Sequence, residues 1–142
     1  MWLIDWGDPM LPAANGFLNA DFEVIEQPSY TFFLDIEKNI VIGFTDDQDA
    51  VRQAIYLILE TERYQYMIFS RNYGIELADL FGQPITYVLP EIKRRVTEAL
   101  LQDTRIERLE DFDFQVNKGI VTTTFTAVTV FGDIPIEKAV NV

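Results

Sequence analysis

The points along this chain where the hydrophobic period changes decide what it can fold into. Val51, Ala54, Ile55, Ile58 and Leu59 recur at i, i+3, i+4, i+7 and i+8, an apolar stripe down one face of a helix. Leu89, Ile92, Val96, Ala99 and Leu100 give a second such face. At Asp103-Thr104-Arg105 the period switches to two, and Phe112, Phe114 and Val116 then alternate with Asp111, Asp113 and Gln115. Strands and helices do not alternate one for one, which disfavours a doubly wound fold. The expected class is α+β: a single small domain, with a mostly antiparallel sheet packed against two main helices and an extended N-terminal arm.

The arm is assigned to residues 1–29 and the domain to residues 30–142. Pro9, Pro12, Gly16 and Pro28 punctuate the arm, and no period holds in it for long. Trp2, Leu3, Ile4, Trp6, Phe17, Leu18 and Phe22 nevertheless make it too apolar for a free tail, so it is expected to lie on its own domain or on a neighbouring subunit. Residues 31–36 and 40–44, TFFLDI and IVIGF, are β-branched and aromatic around Glu37-Lys38-Asn39, which predicts a hairpin.

Thr45-Asp46-Asp47 suits the start of the first helix, where short oxygen-bearing side chains accept free N–H groups. Calcium ligation by Asp46, Asp47 and Asp49 is the weaker reading, since the glycine and the bidentate Glu of a calcium loop are missing. After the charged patch Thr61-Glu62-Arg63, the run Tyr64, Tyr66, Met67, Ile68 and Phe69 reads as a short aromatic strand, followed by a turn at Tyr73-Gly74. Pro90 is awkward inside a helix, so the second helix is expected to begin near Leu89-Pro90, with Lys93, Arg94 and Arg95 on its solvated face. Asn117-Lys118-Gly119 is a tight turn, and 120–131, IVTTTFTAVTVF, is the longest strand signal in the chain. Gly132-Asp133 and Pro135 then end regular structure.

Composition removes several chemistries. With neither Cys nor His among the 142 residues there is no disulfide frame, no thiolate nucleophile and no Ser-His-Asp arrangement. No metal site and no cofactor site is expected. The net charge of −12 argues against a nucleic-acid partner, which needs clustered Lys and Arg. No run of about 18 apolar residues is free of charge, so no membrane-spanning helix is expected. Asp5 and Asp8 interrupt the apolar N-terminus, so no targeting segment is expected there.

Residues 28–82 resemble the PBSX-type prophage tail proteins, which belong with the baseplate-wedge or sheath-initiator proteins of contractile phage tails, a group often labelled lysozyme-like. The resemblance rests on Pro28-Ser29 before the hairpin, Gln53-Ala54-Ile55 in the helix, Thr61-Glu62-Arg63, the Tyr-rich run and Tyr73-Gly74-Ile75-Glu76-Leu77. It continues through Asp103-Thr104-Arg105-Ile106 into the C-terminal hairpin, to about residue 138. The broader wedge family has Glu-Pro-Arg where this chain has Asp103-Thr104-Arg105, so the acid and the guanidinium are kept and the rigid proline is not.

The resemblance implies a structural component of a contractile tail or tail-like particle that joins the inner baseplate wedge to the sheath and initiates sheath assembly. It implies that the Asp103-Thr104-Arg105 turn contacts the helical core bundle of the wedge, with Thr61, Glu62 and Arg63 as a further contact; a purely local role at the helix ends is the alternative for both. It implies baseplate wedge proteins and the tail sheath protein as partners, the tail tube or hub as a further neighbour, and several copies in a ring. Assembly in the cytoplasm and then incorporation into the tail follow from the same resemblance. Strand pairing with sheath subunits is the expected mode, through an open sheet edge. Either the 31–44 hairpin or the strand carrying Thr122, Thr124 and Thr126 could supply that edge.

Two other classes remain. A muramidase would need two carboxyls at a fixed separation, one raised in pKa by burial, and Glu60, Glu62, Glu76 and Asp79 are the candidates. An acidic stand-alone binding module would need its acids on one face, and here they scatter over turns, helix ends and strand backs.

Overall fold

The computed structural model describes residues 29–142, so the expected arm lies, apart from Ser29, outside the described residues. The chain order is β1 (Thr31–Asp35), β2 (Ile40–Thr45), α1 (Asp47–Glu60), a single 3-10 turn at Ala78–Leu80, α2 (Ile85–Leu100), β3 (Ile106–Asn117), β4 (Ile120–Thr129) and β5 (Gly132–Asn141). Two antiparallel sheets result: the β1-β2 hairpin, and a meander in the order β3-β4-β5.

One core joins α1, α2 and the inner face of the meander. Val51, Ile55, Ile58 and Leu59 of α1 meet Val88, Ile92, Val96, Ala99 and Leu100 of α2, and both helices rest on Ile106, Val121, Phe125, Ala127, Ile134 and Val140. On β4 the period of two shows directly: Val121, Thr123, Phe125 and Ala127 are buried, while Thr122, Thr124 and Thr126 are half-buried on the other face. β3 carries two bulges, and Asp111, at φ 54°, lies in the one opposite Phe125. Phe112 still reaches the core there, stacked on Phe125 at 5.1 Å between ring centroids with the Lys93 ammonium 5.2 Å from its own centroid.

Four expectations change. The run Tyr64–Phe69 is a series of turns, not a strand; only a parallel bridge from Glu62 to Ile75 is present in that region. Its aromatic residues have strand propensity but no neighbouring strand to pair with. α2 starts at Ile85 and passes through Pro90 in its second turn. The lost N–H bond there is a single one, and the buried face from Val88 to Leu100 outweighs it. Regular structure does not end at Pro135: β5 runs from Gly132 to Asn141 with Pro135 opposite Thr126. Proline is tolerated in such a strand because β5 is an edge, where a missing N–H on the outer side breaks no rung. Lastly, β4 is central, flanked on both sides over its whole length, so Thr122, Thr124 and Thr126 cannot supply an open edge.

Candidate assembly interface

The two charged turns singled out in the sequence lie at the end of the helix pair where α1 and α2 both terminate. Thr61 is the C-cap of α1, its hydroxyl donating to the Leu57 carbonyl at 2.6 Å. The Glu62 carboxylate accepts from the Leu77 N–H at 3.2 Å and the Ala78 N–H at 3.3 Å, at the start of the 3-10 turn. The Arg63 side chain is only 10% exposed, donates to the Gly74 carbonyl at 3.2 and 3.1 Å, and reaches Glu98 of α2 at 2.9 Å. Two backbone bonds, Arg63 N–H to the Ile75 carbonyl at 3.0 Å and Ile75 N–H to the Thr61 carbonyl at 2.9 Å, close the loop. Gly74 is the pivot: at φ +92° it occupies a region that side chains disfavour, and a Cβ there would meet the Thr61 carbonyl oxygen at 2.5 Å.

Asp103 and Arg105 pair with each other. The guanidinium donates to both carboxylate oxygens, at 2.8 and 2.5 Å, and the Arg105 N–H adds a third bond at 3.0 Å. Burial pushes the Asp103 carboxyl up, but the bonds from Arg105 outweigh it and hold the group below the ordinary aspartate value. Thr104 is exposed between them. Asp103 and Thr104 border a groove of about 320 Å³, whose walls also include Ile58, Tyr73, Gly74 and Ala99; Thr61-Glu62-Arg63 lies behind it, with Arg63 holding the Gly74 carbonyl. Thr104 stands at the middle position of this turn, and the pair between Asp103 and Arg105 closes the turn around it.

Arg95 is the feature that the sequence reading missed. Expected on a solvated face, it is 11% exposed and binds the Asp79 carboxylate, the Glu91 carboxylate at 3.0 Å and the Glu76 carbonyl at 2.9 Å. Arg94 adds bonds to Glu91 and Glu98. The bonds from Arg94 and then Arg95 hold the Glu91 carboxyl down to about 2, and the Arg95 bond lowers that of Asp79. The i, i+3 and i, i+4 spacing of Glu91, Arg94, Arg95 and Glu98 was the available signal for the part within α2. Together with Arg63, these pairs fasten residues 62–80 to α2.

The carboxylates weighed for sugar cleavage are all engaged. Glu60 accepts from the Lys138 ammonium at 2.6 Å, Glu62 from the two backbone N–H groups, Glu76 faces Arg63 at 3.7 Å, and Asp79 is held by Arg95. Among the described residues, every carboxyl whose pKa is displaced moves down, whereas a general acid must move up. Asp46 caps α1, accepting from the Asp47 N–H at 2.8 Å, and among the described residues no three acidic side chains converge as a metal would require. None of the described helices is long and apolar enough to cross a membrane.

The β1-β2 hairpin is built differently from everything else. Phe32 is 60% exposed, Val41 59% and Phe44 56%, and Phe33, Ile36, Ile40 and Ile42 are exposed as well. Tyr30, Phe44 and Phe32 stack in series, with centroids 4.9 and 5.0 Å apart. A two-stranded hairpin is marginal alone. Here α1 steadies it: the Gln53 carboxamide accepts from the Leu34 N–H at 2.9 Å and donates to the Phe32 carbonyl at 2.8 Å. Such a concentration of exposed rings around unpaired backbone marks a surface meant to be covered.

Two comparisons with known proteins agree with this arrangement. Residues 30–132, from the hairpin to the start of β5, match the model of the contractile injection system sheath initiator family. The chain is also 34% identical over 128 residues to the phage-like element PBSX protein XkdS of Bacillus subtilis (strain 168), which covers 87% of this chain and 90% of that protein. With an exposed hairpin, a stapled loop and a match spanning nearly the whole described domain, the chain belongs to the contractile injection system sheath initiator family, structural proteins of the contractile-tail baseplate.

Proposed function

We propose that this chain links the inner baseplate wedge to the tail sheath, and that it starts the sheath by taking a strand from a sheath subunit onto the β1-β2 hairpin. The observation that carries this reading is the hairpin itself. Among the described residues it is a two-stranded fragment, with apolar side chains exposed on both strands. An added strand would satisfy free backbone groups and remove Phe32, Val41 and Phe44 from water in one step. The opposite role, contact with the helical core of the wedge, goes to the groove beside Asp103, Thr104 and Arg105, whose neighbours Thr61, Glu62 and Arg63 act from inside by fixing its walls. Several copies in a ring, assembled before incorporation into the tail, complete the proposal.

Particles carrying Phe32→Ser with Phe44→Ser test the sheath half. Electron microscopy should show tubes on normal baseplates without sheath, while full-length sheaths would overturn it. Arg105→Ala, with Thr104→Arg as a variant that leaves the local pair in place, tests the wedge half. Both are expected to fold alone and to drop out of the wedge; normal incorporation of both removes the groove from the interface.

A further inference from the structure

The sheath-pairing hairpin has two outer edges, and they are not equivalent. On the β1 side, the Leu34 N–H and the Phe32 carbonyl point away from β2 and are taken by the two ends of one carboxamide, that of Gln53. That amide bonds to β1 as a peptide group of a third strand would. It is half-buried on α1, and α1 lies along β1. The outer edge of β1 is therefore occupied by the chain's own helix.

On the β2 side nothing comparable is present among the described residues. Phe32 pairs with Phe44 and Leu34 with Val41. In an antiparallel ladder the members of such a pair turn their N–H and C=O groups the same way relative to the ladder, inward or outward together. Since Phe32 and Leu34 turn theirs outward to Gln53, Phe44 and Val41 turn theirs outward to solvent. A bulge at Ile42-Gly43, with Gly43 at φ +63°, sets these two positions apart without closing the edge. β2 reads IVIGFT, with no charge and no proline, so it lacks the residues that commonly guard an edge.

Resting on the strand-acceptor reading above, we infer that β2 alone receives the sheath strand, at Val41 and Phe44, and that Gln53 is the positioning residue that closes β1 and makes the acceptor one-sided. The surroundings also set the chemistry of the incoming segment. Phe32, Val41 and Phe44 are exposed, and so are Phe33, Ile40 and Ile42 at the intervening positions. A strand added beside them meets apolar side chains above and below. It should be a short uncharged run of β-branched or aromatic residues, not an alternating polar and apolar one.

Amide hydrogen exchange in the full chain, alone and bound to the sheath protein of the same particle, reads this directly. In the free chain the Leu34 amide should be protected and those of Val41 and Phe44 should not. On binding, Val41 and Phe44 should slow at least tenfold, with Leu34 unchanged. Gln53→Leu should speed exchange at Leu34 in the free chain at least tenfold while Val41 and Phe44 still slow on binding; unchanged exchange at Leu34 would overturn the closure of β1. Val41→Pro, which removes one outward N–H, should weaken binding at least tenfold.

If binding instead slows a newly exposed β1 edge and displaces Gln53, the choice of strand is wrong while sheath pairing stands. Binding with no change anywhere in the hairpin overturns both. Protection of Val41 and Phe44 in the free chain that disappears on deleting residues 1–28 would mean that the chain's own N-terminal segment fills the edge, which also overturns the inference.

Discussion

The hairpin and the meander are both antiparallel, both rich in Phe, Val, Ile and Thr, and opposite in how they meet water. The meander has one face sealed by two helices, and its outer strands are defended. β3 carries Glu107, Arg108, Glu110, Asp111 and Asp113 along with two bulges, and β5 carries Pro135, Glu137 and Lys138. Nothing of that kind guards β2. Among the described residues, one sheet therefore has guarded edges and the other has an unguarded one. β-rich sequence alone does not separate the two cases; edge chemistry does.

The contrast breaks first in the core. Phe125→Ala on the inner face of β4 should cost about 3–5 kcal/mol in urea unfolding, because a ring that is 2% exposed leaves a cavity under both helices. A loss below about 1 kcal/mol would mean that the meander is no more self-sufficient than the hairpin. Gly74→Ala comes next. It combines a left-handed backbone with a clash against the Thr61 carbonyl, for about 1–3 kcal/mol, measurable as a lowered midpoint. Thr123→Val should act in the other direction. The Thr123 hydroxyl is buried with no partner among the described residues, so an isosteric methyl should raise stability by about 1 kcal/mol.

Acid should produce a smaller change with a defined sign. Glu91, Asp79, Glu98 and Asp103 all have lowered pKa values in the fold, so their contribution is complete above the unfolded carboxyl range. It is then lost as pH falls from about 4.5 toward 2, the limits set by Glu91. Because these pairs are largely solvent-screened, the loss should be modest and reduced by salt. Thermal melts at pH 5 and pH 3 would check it, and a melting point that rose on acidification would contradict the pairing described for residues 62–80. The smallest effect on global stability belongs to Phe32→Ser, within about 0.5 kcal/mol as for other exposed positions, although the stacked rings lose local order. In sheath assembly the order reverses, and that variant should do the most damage.

Much of the fold is legible in the sequence. The stripe of α1, the hairpin at 31–44, a cap within Thr45-Asp46-Asp47 and the inner face of α2 follow from period, strand propensity and the chemistry of the first turn. The failures share a cause: local signals ignored what lay alongside. Pro135 looked like an ending because nothing in its vicinity says that β5 is an edge. Tyr64–Phe69 looked like a strand because propensity does not reveal a missing neighbour. Arg95 looked solvated because Asp79 and the Glu76 carbonyl are remote in sequence. The charged turns stood out as clusters, but one polar residue on a helix, Gln53, carries no periodic signal, and only its contacts reveal what it does.

β2 runs into α1 through Asp46 alone, since β2 ends at Thr45 and α1 begins at Asp47. A strand laid along β2 and drawn lengthwise would load its rungs in shear, all at once, and not peel them one by one. That tension would pass from β2 into α1 through the one-residue joint at Asp46, and from β1 into α1 through the Gln53 carboxamide.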